Sequence, residues 1–139
     1  MGSYCDYLEN KILDHVLGGG DFTRPATVYI GLSTTTIADD GTGITEPSGN
    51  GYARIAVTNN GTNFPAASGG AKVNGAEFSF AEATGAWGTC SDYFAADASV
   101  GGNILFAGLI LYGENPTPKV IGAGDTAKFP AGTLSFSQT

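Results

Sequence analysis

A chain of 139 residues that is 42% hydrophobic and 11% aromatic has the length of one domain and enough apolar surface to fold, and its 22 glycines follow no triplet period, so disordered and collagen-like chains are excluded. Thirteen acidic against six basic residues give a net charge of −7, which repels a phosphate backbone and excludes nucleic acid as a partner. Only 14% of the chain is charged, so much of its outside is Thr, Ser, Asn, Gly and Ala, a surface suited to partial coverage by another protein.

The first predicted element is a helix over residues 3–17. Cys5, Leu8, Ile12 and Val16 recur at steps of three and four, with Asp6, Glu9, Asn10, Lys11 and Asp14 on the other side. Ser3 is expected to cap it and Gly18-Gly19-Gly20 to end it. So short a helix is marginal alone, so its stripe is expected to lie mostly on the domain's own sheet. The opening Met-Gly-Ser-Tyr-Cys-Asp has neither a basic leader nor an apolar signal region, so no targeting segment and no membrane association are expected.

From residue 26 onwards the period becomes two. Thr27 to Ser33 places Val28, Ile30 and Leu32 on one face of a strand. Thr34 to Gly51 is then a long turn-rich loop, of the kind that is functional or pinned by a partner. Tyr52 to Thr58 alternates again, with Ala53, Ile55 and Val57 on one face and Tyr52 and Arg54 on the other, outward face. After a connector from Asn59 to Gly70, Ala76, Phe78 and Phe80 mark a third strand and Thr89 to Ala95 a fourth. A turn at Ser99-Val100-Gly101-Gly102 leads into Asn103 to Tyr112, whose run of large apolar residues predicts the most buried strand and a hairpin with the one before. Lys119 to Gly122, Thr126 to Phe129 and Thr133 to Ser137 complete seven or eight short strands, with Leu134 and Phe136 facing one way and Ser135 and Ser137 the other. The expected fold is mainly β: a single domain, residues 1–139, with one N-terminal helix (3–17) and an antiparallel sandwich or small barrel (26–139).

No constellation in the sequence carries chemistry. His15, the one histidine, sits among Asp14 and Lys11 on the exposed side of the helix, with no partner at a spacing that would make it a base. Cys5 and Cys90 lie far apart without a second Cys or His near either, so they read as reduced, buried and unreactive. Asp39-Asp40-Gly41-Thr42-Gly43 lacks the ligand alternation of a calcium loop and reads as a turn; Glu77 and Glu82 would face opposite sides of a strand. Gly18-Gly19-Gly20 follows a helix, where its amides are wrongly placed for phosphate. No catalytic, cofactor or metal residue is assigned, and an enzyme is not expected.

The order of segments is nonetheless distinctive. It runs from Tyr7-Leu8-Glu9-Asn10-Lys11-Ile12-Leu13-Asp14-His15-Val16-Leu17 and Phe22-Thr23-Arg24-Pro25-Ala26-Thr27-Val28-Tyr29-Ile30-Gly31-Leu32 through Gly51-Tyr52-Ala53-Arg54 and Ala86-Trp87-Gly88-Thr89. It continues with Gly101-Gly102-Asn103-Ile104-Leu105-Phe106 and ends with Gly122-Ala123-Gly124-Asp125-Thr126-Ala127-Lys128-Phe129. From about Tyr7 to Phe136 this series resembles a family of small tailed-bacteriophage virion proteins, described as head decoration (cement) proteins or as tail-fibre proteins. The loop from Thr34 to Gly51 and the stretch from Asp92 to Val100 depart from that series.

The resemblance implies a noncatalytic β-rich protein on the capsid surface of the virion, made in the host cytoplasm, binding the major capsid protein as a homotrimer and stabilising the head by linkage. Tyr4, Tyr7, Phe22, Arg24, Tyr52 and Arg54 are the expected interface anchors, since Tyr and Arg are frequent hot spots. On that reading Arg54→Ala weakens shell binding without unfolding the protein. The alternative is a tail-fibre or tail-tip module for host attachment, with a shallow aromatic site at Tyr93, Phe94 and the loop from Asp39 to Gly51.

Overall fold

The computed structural model describes residues 2–112 and 114–138. In chain order these hold β1 (Gly2–Tyr4), α1 (Asp6–Val16), β2 (Thr27–Ser33), β3 (Ile55–Thr58), β4 (Ala71–Val73), β5 (Phe78–Ser79), β6 (Gly88–Cys90) and β7 (Asp92–Ala96). There follow β8 (Ile104–Leu109), β9 (Leu111–Tyr112), β10 (Asn115–Pro116), β11 (Lys119–Ile121), β12 (Lys128–Phe129) and β13 (Ser135–Ser137). Seven strands form one sheet in the order β3-β2-β7-β8-β1-β13-β4, and the other six pair as β10-β9, β11-β6 and β12-β5. The large sheet curls into a half-barrel, so the expected mainly β fold with one helix is what the chain adopts.

Several details differ from the sequence reading. Ser3 caps nothing: it belongs to β1, opposite Ala107, and the helix begins after Cys5, whose side chain makes no capping bond. β1 was not foreseen because three residues are too few to show a period. It inserts between β8 and β13, pairing parallel to β13 at Gly2↔Phe136 and Ser3↔Ser137, so the sheet is not wholly antiparallel. The short strands β4 and β10 were likewise invisible. Thr89 to Ala95 breaks at Ser91 into β6 and β7, which join different sheets. Every residue of β7 is buried, whereas β8 ends on the exposed Leu109, so β7 is the most buried strand. A central strand covered on both faces loses its alternation and cannot be recognised by it.

One face of the sheet carries Val28, Ile30, Leu32, Val57, Tyr93, Ala95 and Phe136 into the core, where Phe78, Phe80, Trp87, Ile121 and Leu134 meet them from the small sheets and loops. On the other face Gly31 lies opposite Phe94 in the β2–β7 ladder, and the Phe94 ring fills the space that the missing side chain leaves. The connection from β4 is closed by Asn74, 1% exposed: its amide nitrogen donates to the carbonyls of Ala76, Phe129 and Pro130, and its oxygen accepts the Leu134 N–H at 2.9 Å. Asn74→Ala leaves the buried Leu134 N–H and three part-buried carbonyls without this partner, and a loss of about 1–3 kcal/mol is expected in urea denaturation; a midpoint within error of the parent rejects this closing role.

The helix stripe is only half covered. Cys5 and Leu8 are buried against β1 and β8 and Ile12 is half-buried, while Val16 is 69% exposed; beside it, off the expected stripe, Leu13 and Leu17 are 59% and 71% exposed. The helix overhangs the sheet, ending where Gly18 and Gly19 take positive φ as foreseen.

Candidate interaction surface

The six expected anchors separate into two groups. Tyr52 and Arg54 are not on an outward strand face: both precede β3 and turn inward. The Tyr52 ring packs edge-on to Trp87 at 5.2 Å and alongside Phe80 at 6.0 Å, and its hydroxyl donates to Glu46 Oε1 at 2.7 Å and accepts the Leu32 N–H at 3.1 Å. The Arg54 side chain is 5% exposed. Its Nε and Nη2 grip both Glu46 oxygens at 2.9 and 3.0 Å, its Nη1 donates to the carbonyls of Ala98 and Gly101, and its guanidinium lies 4.9 Å from the Phe94 ring centre. Tyr52 packs with the core rings and Arg54 lies on Phe94; what covers them comes from Glu46 in the preceding loop and from Trp87 and the β7–β8 turn, which are distant in sequence.

This cluster also explains the long loop. Residues 34–51 are held by their own chain: Thr45 N–H bonds to Ser33 Oγ, Ile37 N–H to Asp92 Oδ2, and Trp87 Nε1 donates to Asn50 O at 2.9 Å. Burial pushes the Glu46 carboxyl up, but hydrogen bonds from Arg54 and Tyr52 and the Arg54 charge outweigh it, and the net pKa lies below the ordinary value. A carboxylate lowered in the folded state contributes fully above its unfolded pKa and loses that contribution as pH falls through the folded value. Stability should therefore fall below about pH 4.5, and Glu46→Gln should flatten that acid limb in urea titrations. An unchanged limb excludes Glu46 as its source.

Tyr93 and Phe94 are 3% and 0% exposed, so the shallow aromatic site expected there is not formed. Both cysteines are free and buried as foreseen; burial, then the charges of Asp39, Asp6 and Glu9, pushes the Cys5 thiol up to about 11, and burial raises Cys90. His15 is exposed and accepts the Phe22 N–H on Nδ1 at 3.2 Å. Asp40 accepts the N–H and hydroxyl of Thr42, a closed turn as expected, and these bonds lower its pKa. Asp6, Glu9 and Asp39 bring one oxygen each within 4.8 Å of one another. Three carboxylates are short of the six to eight oxygens that calcium takes.

Among the described residues two concave surfaces stand out. The first is a groove of about 600 Å³ where three anchors converge: Tyr4, Phe22 and Arg24 line it together with Leu8, Phe64 and Phe106. Tyr4 stands edge-on to Phe106 at 5.0 Å; Tyr7 does not line the groove, and Lys11 Nζ lies 5.8 Å over its ring. The second is a broader concavity of about 1010 Å³ bordered by Leu109, Tyr112 and Val120, which are 41%, 76% and 75% exposed. Exposed apolar side chains gathered in this way mark protein contact surfaces.

A family described as the podophage GP4 fiber I protein gp80 matches residues 3–137. The chain belongs to that family. It is accordingly a structural protein of the phage particle. No curated protein matches it. Family membership accounts for a molecule whose unsatisfied features are apolar contact surfaces. Among the described residues no helix is long and apolar enough to cross a membrane.

Proposed function

We propose that this member of the fiber I family is a head decoration protein that sits on the shell of major capsid protein and stabilises it. The observation that carries this reading is that the large apolar side chains left exposed are gathered at the surface of a fold otherwise packed on one core, which suits a protein that attaches by surface contact. The apolar border of Leu109, Tyr112 and Val120 supplies the contact area. Binding the intact shell more tightly than its disrupted parts stabilises it by mass action. Contact, not catalysis, is the mode of action: both thiols are buried with raised pKa, and the one histidine is committed to a backbone amide.

A second reading, a component of a tail fibre used in host attachment, is favoured by the family's description as a fibre protein. Quantitative mass spectrometry of purified virions separates the two. A copy number approaching that of the major capsid protein is the expected result, since only the shell offers so many equivalent sites. A small multiple of three or six per particle overturns decoration in favour of the fibre, and absence from the particle overturns both.

A further inference from the structure

We propose that the aromatic groove is the seat for the overhanging end of α1 from a second copy of this chain. The groove's charge is the first argument. Arg24 and Lys72, two of the chain's six cations, line it, and none of the thirteen carboxylates does. Arg24 is exposed and forms no ion pair among the described residues, while Lys72 Nζ is held in place by the carbonyls of Phe64 and Pro65. The rest of the molecule is thus still more acidic than its net charge of −7 suggests, and the groove is where it receives an acidic surface.

The helix end supplies the matching shape and charge. Leu13, Val16 and Leu17 lie at steps of three and four on one face, each more than half exposed, and present a convex apolar ridge. Glu9 stands on the same face one turn earlier, Asp14 is exposed beside it, and the Asp21 side chain just beyond is 97% exposed; Lys11 is the only Lys or Arg on the helix. An amphipathic ridge with carboxylates at its flanks, laid in an aromatic trough with cations at its rim, is the helix-in-groove mode of recognition. In one chain the ridge cannot reach its own groove, because the same helix already forms a wall of it through Leu8. A second copy is therefore the occupant, on whichever particle surface the protein stands.

The test is sedimentation velocity of the purified protein over a concentration series, with circular dichroism to confirm that each variant folds. The parent should self-associate, and more weakly at high salt. Leu13→Glu on the ridge and Arg24→Glu in the groove, both at exposed positions, should each weaken association by about tenfold or more. Mixing the Arg24→Glu chain with an Asp14→Lys, Asp21→Lys chain should restore association between the two, because the charges are again opposite. A parent that stays monomeric at all concentrations overturns the proposal. So does association that neither substitution weakens, or that the charge-reversed pair fails to restore.

Discussion

Gly31→Ala is expected to destabilise the protein by about 3 kcal/mol, the upper range for overpacking a core, although it adds a single methyl group. Gly31 is in the middle of β2, a position where alanine is ordinarily the more stable residue. Here a Cβ would lie 2.2 Å from Phe94 Cζ, 2.6 Å from Cε1 and 2.8 Å from Cε2, so the ring must move. It has nowhere to go: Phe94 is 0% exposed, in the central strand β7, with the Arg54 guanidinium stacked on it. Chemical denaturation should show a lower midpoint with an unchanged slope. Adding Phe94→Leu should recover part of the loss, since the smaller side chain leaves room for the methyl. Strict additivity of the two substitutions would sink this account.

Arg54→Ala is expected to cost about 2–3 kcal/mol, the range for losing hydrogen bonds made to charged groups, because the Glu46 side chain is 27% exposed and water reaches it when the guanidinium is gone. The substitution leaves the Glu46 carboxylate with only the Tyr52 hydroxyl, takes the donor from the carbonyls of Ala98 and Gly101, and uncovers Phe94. Arg54→Lys keeps the charge but loses the two-pronged grip on Glu46, so it should fall between the parent and alanine. This reverses the expectation from alternation alone, in which Arg54 faced solvent and could be removed without unfolding. A melting temperature for Arg54→Ala within a degree or so of the parent would restore the outward reading, since 1 kcal/mol shifts a domain this size by about 2–8 °C. The variant would also free the long loop from the β7–β8 turn, which amide hydrogen exchange in residues 44–54 would report as lost protection.

Both predictions concern contacts that join residues far apart in the chain, and that marks the boundary of what the amino-acid order alone determines here. Strand β2 was legible to its exact bounds because Val28, Ile30 and Leu32 alternate and Pro25 precedes them. The helix, the glycine stop after it, the β7–β8 hairpin and the shared face of Leu134 and Phe136 were legible for the same reason: local periodicity and turn chemistry are written in neighbouring residues. The burial of Cys5 and Cys90 and the closed turn at Asp40 were legible too.

Only the tertiary structure decided that β1 slips between β8 and β13, that Tyr93 and Phe94 are interior, and that Tyr52 and Arg54 turn inward. It also decided that Tyr4, Phe22 and Arg24 share a groove while the helix end stands clear of the sheet. The physical reason is common to all of these. A side chain's surroundings are set by which strands become neighbours, and strand order depends on pairing between distant segments, which leaves no period in the sequence near any one of them.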